Sequence, residues 1–196
     1  TFAAALAATS AFLPGLTDVA SLRSFYGVHR IADTTDGQFR FLFHGTTIHG
    51  SERLRDADGK PVEGRPSPAT YYWVDSPLGD AVEAARTVAG GRLGTVAAIG
   101  LGTGSLACHA KPDEAWTFFE IDPEVVRIAR DPKLFGYLSS CAPNQRVVVG
   151  DGRLTLATDL AQPADLVVVD AFSSDSIPVH LLTREAVRLY GERLGP

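Results

Sequence analysis

The chain has 196 residues, of which 45% are apolar, and a formal net charge of −5 at pH 7. This length suits one α/β domain with a small appendage, and the negative charge gives no reason to expect nucleic acid or an anionic membrane as a partner. Cys108 and Cys141 fit no metal-site spacing and no disulfide framework. We therefore expect two reduced core thiols, no metal and a cytoplasmic protein.

Residues 1–22 open with an alanine-rich apolar run, TFAAALAATSAFLPGL, which Pro14 and Gly15 interrupt. The run is short for a bilayer span, and no basic segment precedes it as in a signal peptide. We expect a helix packed on the domain and no membrane insertion. The alternatives are the tail of a removed membrane region or a disordered end. The sequence contains no methionine, so we also expect a processed chain or a fragment.

Residues 23–75 predict a small β-hairpin domain. Two strand-like runs, residues 25–31 and 39–43, flank a turn-forming cluster at 33–37, and residues 44–50 are a candidate third strand.

A segment rich in proline, glycine and charge, residues 55–69, is predicted to be a loop and a candidate mobile lid. After it, Ser76 and Pro77 predict the start of a helix that runs to about Val88.

Residues 76–196 alternate short apolar runs with helical segments. The runs at 96–99, 116–119, 146–149 and 165–169 have the composition of buried parallel strands. This alternation predicts a Rossmann-like α/β domain with a parallel sheet and crossover helices.

A glycine loop, Gly100-Leu101-Gly102-Thr103-Gly104, follows the first of these strands, and Glu120 ends the next, 18 residues after Gly102. Glycines let the backbone approach a ligand, and an acid at that strand end can accept both ribose hydroxyls. A turn without a ligand is the alternative. The glycine spacing departs from the dinucleotide pattern and the loop has no cation, so we favour an adenosyl ligand without phosphates over NAD.

Three acids, Glu120, Asp151 and Asp170, each follow an apolar strand directly. Ligands of open α/β sheets bind beyond the carboxyl ends of the strands, so we expect these side chains to converge. Glu120 suits a ribose diol, Asp151 an adenine amino group, and Asp170 the reacting atoms. Each acid alone could instead cap a turn.

The blocks GLGTG, FFEIDPEVV, VVVGDGR and ADLVVVDAFSSDSIP, with HGTTIHGSE before them, resemble the polyamine aminopropyltransferases, the spermidine synthase family, in its bacterial spermidine synthase-like branch. The resemblance covers about residues 24–185. It implies a methyltransferase-type sheet and transfer of an aminopropyl group from decarboxylated S-adenosylmethionine to a diamine such as putrescine, which yields spermidine and methylthioadenosine.

The resemblance also implies roles for single residues. Glu120 would bind the ribose, Asp151 the adenine amino group, and Asp170 would help deprotonate the attacking amine, a task that suits a carboxylate within hydrogen-bond reach. The other expected site residues are Gly100, Gly102, Thr103, Gly104, Ile121 and Gly152 on the cofactor side, and Tyr72, His49 and Asp175 on the diamine side.

Some positions differ from the family pattern. Thr103 stands where the glycine loop usually carries an acid that pairs with the amine of the decarboxylated cofactor, and the loop of residues 170–178 is longer than usual. The hairpin lacks the family's aspartate and glutamine, and has His44 and either Ile48 or His49 near their places. These differences leave two alternatives: an enzyme that uses intact S-adenosylmethionine, such as a methyltransferase, or a catalytically weak adenosyl-binding domain.

The C-terminal end is short for this fold, which has seven strands, whereas only four are predicted here. Thr183 starts a helix and the chain then ends at Pro196. We expect either a C-terminally truncated chain or a sheet that a partner completes. Because an open sheet edge invites pairing, we expect a homodimer.

Overall fold

The computed structural model describes residues 15–143, 145–172 and 176–195. The helix expected near the N-terminus lies mostly outside these ranges. Its last part is described and differs from the expectation, because residues 16–22 belong to strand β1, Leu16–Arg23. Polar and apolar residues alternate in only part of β1, so the sequence pattern indicates a strand only weakly.

The first sheet is an antiparallel meander of four strands. After β1 come β2 (Val28–Thr34), β3 (Phe39–His44) and β4 (Thr47–Arg53), which pair in sequence order. The predicted hairpin and third strand are therefore present, and β1 adds an edge strand.

The second sheet contains four parallel strands, β5 (Thr95–Ile99), β6 (Ala115–Glu120), β7 (Arg146–Val149) and β8 (Leu166–Val169), in the order β7-β6-β5-β8. The predicted fold class, a Rossmann-like parallel sheet preceded by a small antiparallel one, is confirmed. The boundary assigned near residue 75 stays a prediction.

In the described part of the chain, five α-helices accompany the strands: α1 (Pro77–Val88), α2 (Pro123–Arg130), α3 (Tyr137–Cys141), α4 (Gly152–Asp159) and α5 (Arg184–Arg193). Short 3₁₀ turns form at Thr70–Tyr72, Ser105–His109 and Val179–Leu181. No helix among the described residues is both long enough and apolar enough to cross a bilayer.

Both faces of the parallel sheet are covered. Val96 and Trp116 pack with Val82 of α1 on one face, and Ile99 packs with Leu156 of α4 on the other. This burial explains why the strands are continuous apolar runs rather than alternating ones.

The strand order fixes where a ligand can bind. The chain moves from β5 to β6 and β7 on one side, then returns to place β8 on the other side of β5. Ligands of open α/β sheets occupy the crevice beside such a reversal, at the carboxyl ends of the strands. Gly100 and Asp170 follow the two strands that flank this point.

Strand β8 stands at the edge of the described sheet. Ala164, just before it, forms an isolated parallel bridge with Leu194, which follows α5. Hydrogen bonds from Ala164 N to Arg193 O and from Gly195 N to Ala164 O, each 2.8 Å long, continue this pairing. Dimerisation through the edge stays a prediction.

The two cysteines form a disulfide, so the expectation of two reduced thiols is wrong. The bond joins Cys108, in the Ser105–His109 turn, to Cys141 at the end of α3, with Cα atoms 4.8 Å apart. The turn and α3 pack together although 33 residues separate the cysteines, and spacing alone cannot show such packing. Disulfides are typical of oxidising compartments, so this bond does not support the expected cytoplasmic location.

We predict that reducing the disulfide lowers the free energy of unfolding by about 2–4 kcal/mol, because the cross-link restricts the unfolded chain. Urea unfolding with and without a reductant measures the change. A variant carrying both Cys108→Ser and Cys141→Ser should not respond to the reductant. Alkylation of two free thiols in the unreduced, folded protein would contradict the pairing.

Candidate active site

A cavity of about 270 Å³ lies at the carboxyl ends of β5, β6 and β8, and residues of the antiparallel sheet cover it. Its lining includes most of the residues expected from the sequence: Gly100, Gly102, Glu120, Ile121, Gly152, Asp170, Tyr72 and His49. Thr103, Gly104 and Asp151 do not line it. Asp175 lies outside the described residues.

At two positions of the glycine loop, Gly100 and Gly102, the neighbouring backbone leaves no room for a side chain. A Cβ on Gly100, whose φ is +102°, would overlap the carbonyl oxygen of Asp170. A Cβ on Gly102, at φ +54°, would lie 2.7 Å from the carbonyl oxygen of His49. The loop therefore packs directly against both β8 and β4, and its backbone is open to the cavity. The five-residue Ser105–His109 turn takes the place of the expected α-helix.

Glu120 is buried, and backbone N–H groups hold its carboxylate. Its Oε2 accepts a hydrogen bond from Leu101 N at 3.0 Å, and its Oε1 accepts one from Asp122 N at 2.9 Å. Burial raises the pKa of Glu120 and these hydrogen bonds partly offset the rise. Each oxygen has a second lone pair, so the carboxylate can still accept hydrogen bonds from a ribose diol.

Asp122, which the sequence analysis did not single out as a site residue, fastens the antiparallel sheet to the parallel one. Its Oδ2 accepts hydrogen bonds from Ser24 Oγ at 2.5 Å and His29 Nε2 at 2.7 Å, and its Oδ1 caps α2 through Glu124 N. Burial acts to raise the pKa of Asp122, but these hydrogen bonds outweigh it and lower the pKa. No sequence pattern pointed to the contact with His29.

Thr103 and Gly104 pack the glycine loop rather than face the cavity. The Thr103 side chain is 1% exposed and lies against Gly50, where a Cβ would come within 2.5 Å of Thr103 Oγ1. A Cβ on Gly104 would meet the Leu138 side chain. The expected contact of Thr103 with the cofactor therefore stays a prediction that this geometry does not support.

Asp151 stands beside the cavity and caps α4. Its Oδ1 accepts hydrogen bonds from Arg153 N at 2.9 Å and Leu154 N at 3.1 Å. Its Oδ2 lies 3.1 Å from Nε2 of His180, a residue that does line the cavity. The next residue, Gly152, lines it as well.

Asp170 lies next to a pair of tyrosines. Tyr72 Oη donates a hydrogen bond to Asp170 Oδ2, and Tyr71 Oη lies 3.1 Å from Tyr72 Oη and 3.4 Å from the same carboxylate oxygen. Burial raises the pKa of Asp170, and both tyrosine hydroxyls act to lower it. Burial also raises the pKa of Tyr71 to about 12 and that of Tyr72 well above its ordinary value, so both are donors at neutral pH. The sequence suggested Tyr72 for the diamine and missed its contact with Asp170.

Three histidines of the antiparallel sheet line the cavity beside these acids. The ring of His44 lies 4.9 Å from that of His29 and 5.5 Å from that of His49. No lysine or arginine is among the described residues that line the cavity. The described residues contain no group of three or more histidines, cysteines or acids that could hold a metal ion.

Together these groups can bind a nucleoside and act on a cationic partner. Glu120 offers two acceptors for a diol, the glycine loop offers backbone at short range, and Asp170 offers a carboxylate that can take up a proton. An acidic cavity without cations attracts ammonium groups.

Comparison with known proteins finds similarity in part of the sequence and in the fold. No protein-family model matches the chain. A polyamine aminopropyltransferase of Vibrio vulnificus is 38% identical over 92 residues, which are 44% of this chain and 29% of that protein. The chain thus spans less than a third of this curated relative.

Solved structures share the fold. A probable spermidine synthase from Corynebacterium glutamicum superposes with a TM-score of 0.64 at 16% identity, over 90% of this chain and 60% of that one. Spermidine synthase from Thermotoga maritima gives 0.55 at 16% identity over 90% and 53%. A spermidine synthase in complex with the transition state analogue AdoDATO gives 0.56 at 15% identity over 90% and 54%.

Gly100 and Gly91 allow a matched test of the close packing at the cavity, because their φ angles are +102° and +101° but nothing lies within 4 Å of a Cβ on Gly91. We predict that Gly91→Ala costs about 1–2 kcal/mol, the cost of the left-handed backbone. Gly100→Ala should cost a further 1–3 kcal/mol or so, because the new methyl overlaps the neighbouring strand end. Urea unfolding measures both values. Equal losses would show that the loop is not packed as described.

Proposed function

We propose that this chain, which is spermidine synthase-like in fold and in part of its sequence, is a transferase that moves an aminopropyl group from decarboxylated S-adenosylmethionine to a diamine such as putrescine. The products would be spermidine and methylthioadenosine. The observation that carries the proposal is the position of Asp170, held by Tyr72 in the same cavity as Glu120 and the glycine loop.

The residues on the nucleoside side fit an adenosyl group. Glu120 would accept hydrogen bonds from the ribose hydroxyls, and Asp151 would accept one from the adenine amino group through Oδ2, since its Oδ1 already caps α4. Gly100, Gly102 and Gly152 would let the ligand lie against the backbone, and Ile121 would contribute an apolar contact.

The residues on the acceptor side fit an amine. The diamine must lose a proton before its nitrogen attacks the carbon next to the sulfonium. As the new C–N bond forms, the C–S bond breaks, its electron pair stays on sulfur, and a neutral thioether leaves. Asp170 would take up the amine proton. His49 and Asp175 are proposed to help hold the diamine, and Tyr72 would act by orienting Asp170.

The choice of the decarboxylated cofactor rests on the acidic cavity, in which none of the described lining residues is a lysine or arginine. A cofactor tail that carries only an amine is favoured there, whereas the carboxylate of intact S-adenosylmethionine would face Asp170 with no lysine or arginine among those residues to pair with. Transfer of a methyl group from the intact cofactor is the outcome that would replace this proposal. Homodimer formation and a cytoplasmic location also remain proposals, and the disulfide argues against the location.

We predict that Asp170→Asn lowers turnover by about 10²–10⁴-fold, because the amide keeps the shape but cannot accept the proton. Release of methylthioadenosine from decarboxylated S-adenosylmethionine and putrescine measures it. Asp165→Asn is the matched control: Asp165 stands just before β8 and binds Gly94 N and Thr95 N, away from the cavity. Equal turnover of the wild type and Asp170→Asn would exclude Asp170 as the base.

The pH profile gives a second test of the same group. The base must be ionised, so activity should fall as the pH drops through the pKa of Asp170, which burial raises. Tyr72→Phe removes a hydrogen bond that lowers this pKa, so the acidic limb of the profile should move to higher pH. An unchanged limb in Tyr72→Phe would show that the titrating group is not Asp170.

We further predict that Glu120→Gln weakens binding of methylthioadenosine by about 1.5–3 kcal/mol, the scale of a hydrogen bond to a charged group. Calorimetry measures the affinity. The comparison ligand is the 2′,3′-dideoxy analogue, for which the two proteins should differ much less. Unchanged affinity for methylthioadenosine in the variant would exclude the ribose role.

A further inference from the structure

Asp151 Oδ2, the oxygen proposed to bind the nucleobase, already has a partner in the structure. Oδ1 accepts hydrogen bonds from two backbone N–H groups at the start of α4, so Oδ2 is the oxygen left for a ligand. Nε2 of His180 lies 3.1 Å from that Oδ2. A purine amino group that binds Oδ2 must therefore either share this oxygen with His180 or displace the imidazole from it.

The backbone around His180 is anchored while its side chain can move. The Val179–Leu181 turn is tied to α5 because Tyr190 Oη donates a hydrogen bond to Leu181 O at 3.0 Å. Pro178, His180 and Leu181 line the same cavity as Gly152. The His180 side chain is 46% exposed, so it can rotate away without a change in the fold.

The charged and titratable groups near this pair lie on α4, on α5 and in the cavity lining. Arg153 on α4 and Tyr190 on α5 interact electrostatically with each other, and Asp151 acts on Tyr190 as well. Arginine stays charged, and burial raises the pKa of Tyr190, so the tyrosine stays neutral. Glu120 and Asp170 line the same cavity as His180. Imidazole is the group that ordinarily changes charge between about pH 5 and 8.

We propose that His180 is a specificity residue of the nucleoside site: it closes the nucleobase end by pairing with Asp151 Oδ2, and a 6-aminopurine nucleoside must displace it from that oxygen. The inference rests on the proposed function, which supplies the adenosyl ligand. Protonation of His180 turns the hydrogen bond into an ion pair and makes the displacement harder. Affinity for an adenosyl ligand therefore falls as His180 becomes charged, and a base without the amino group gains nothing from the displacement.

The test measures the dissociation constant of methylthioadenosine at pH 8 and pH 6 by calorimetry, for the wild type and His180→Gln. For a half-exposed ion pair we expect the wild type to lose about three- to fivefold more affinity on acidification than the variant. Because both proteins contain Glu120, any effect of its titration on the affinity cancels in the comparison. His180→Asn serves as a second variant, and thermal unfolding at each pH verifies that all three proteins are folded.

Methylthioinosine, which has an oxo group in place of the amino group, is the matched ligand. Its affinity should change with pH to the same extent in the wild type and in His180→Gln. An equal pH response of both proteins toward methylthioadenosine would overturn the role of His180 and leave the proposed function intact. Failure of both proteins to bind methylthioadenosine at pH 8 would overturn the nucleoside site itself. Binding as described without turnover would contradict the proposed function alone.

Discussion

The cavity depends on the buried carboxylate of Asp122, which joins the two sheets. It accepts hydrogen bonds from Ser24 and His29 of the N-terminal part, while it caps α2 of the parallel-sheet part. The contact holds His29 of the antiparallel sheet beside Glu120, which accepts a hydrogen bond from Asp122 N. Gly102 packs against the His49 carbonyl and Thr103 packs against Gly50, so the contact between the two sheets continues along β4.

The contact between the two sheets encloses several carboxylates in and beside one partly buried cavity. Burying an unpaired carboxylate is costly, and each one here has donors that offset the cost. Backbone N–H groups serve Glu120 and Asp151, and tyrosine hydroxyls serve Asp170. Because the donors to Glu120 and Asp170 are neutral, these two carboxylates keep their negative charge, which a cationic substrate can then compensate.

Sequence reasoning located the parts of the site that the parallel sheet dictates. A strand end followed by glycine or an acid must lie at one edge of such a sheet, so Gly100, Glu120 and Asp170 could be placed together in advance. It failed where distant segments meet, since neither the pairing of His29 with Asp122 nor the Cys108–Cys141 bond has a local signature. The expected lid stays a prediction: Arg65 Nη2 donates to Cys108 O at 2.7 Å, and none of residues 54–69 lines the cavity that contains Glu120 and Asp170.

A crystal structure of the protein with methylthioadenosine tests the central claim most directly, namely that the three strand-end acids surround one nucleoside site. The account predicts that the ribose hydroxyls lie within hydrogen-bond distance of the Glu120 carboxylate and the amino group within that distance of Asp151. The methylthio group would point toward Asp170 and Tyr72. A nucleoside bound elsewhere, or bound in the cavity with its ribose away from Glu120, would contradict the account.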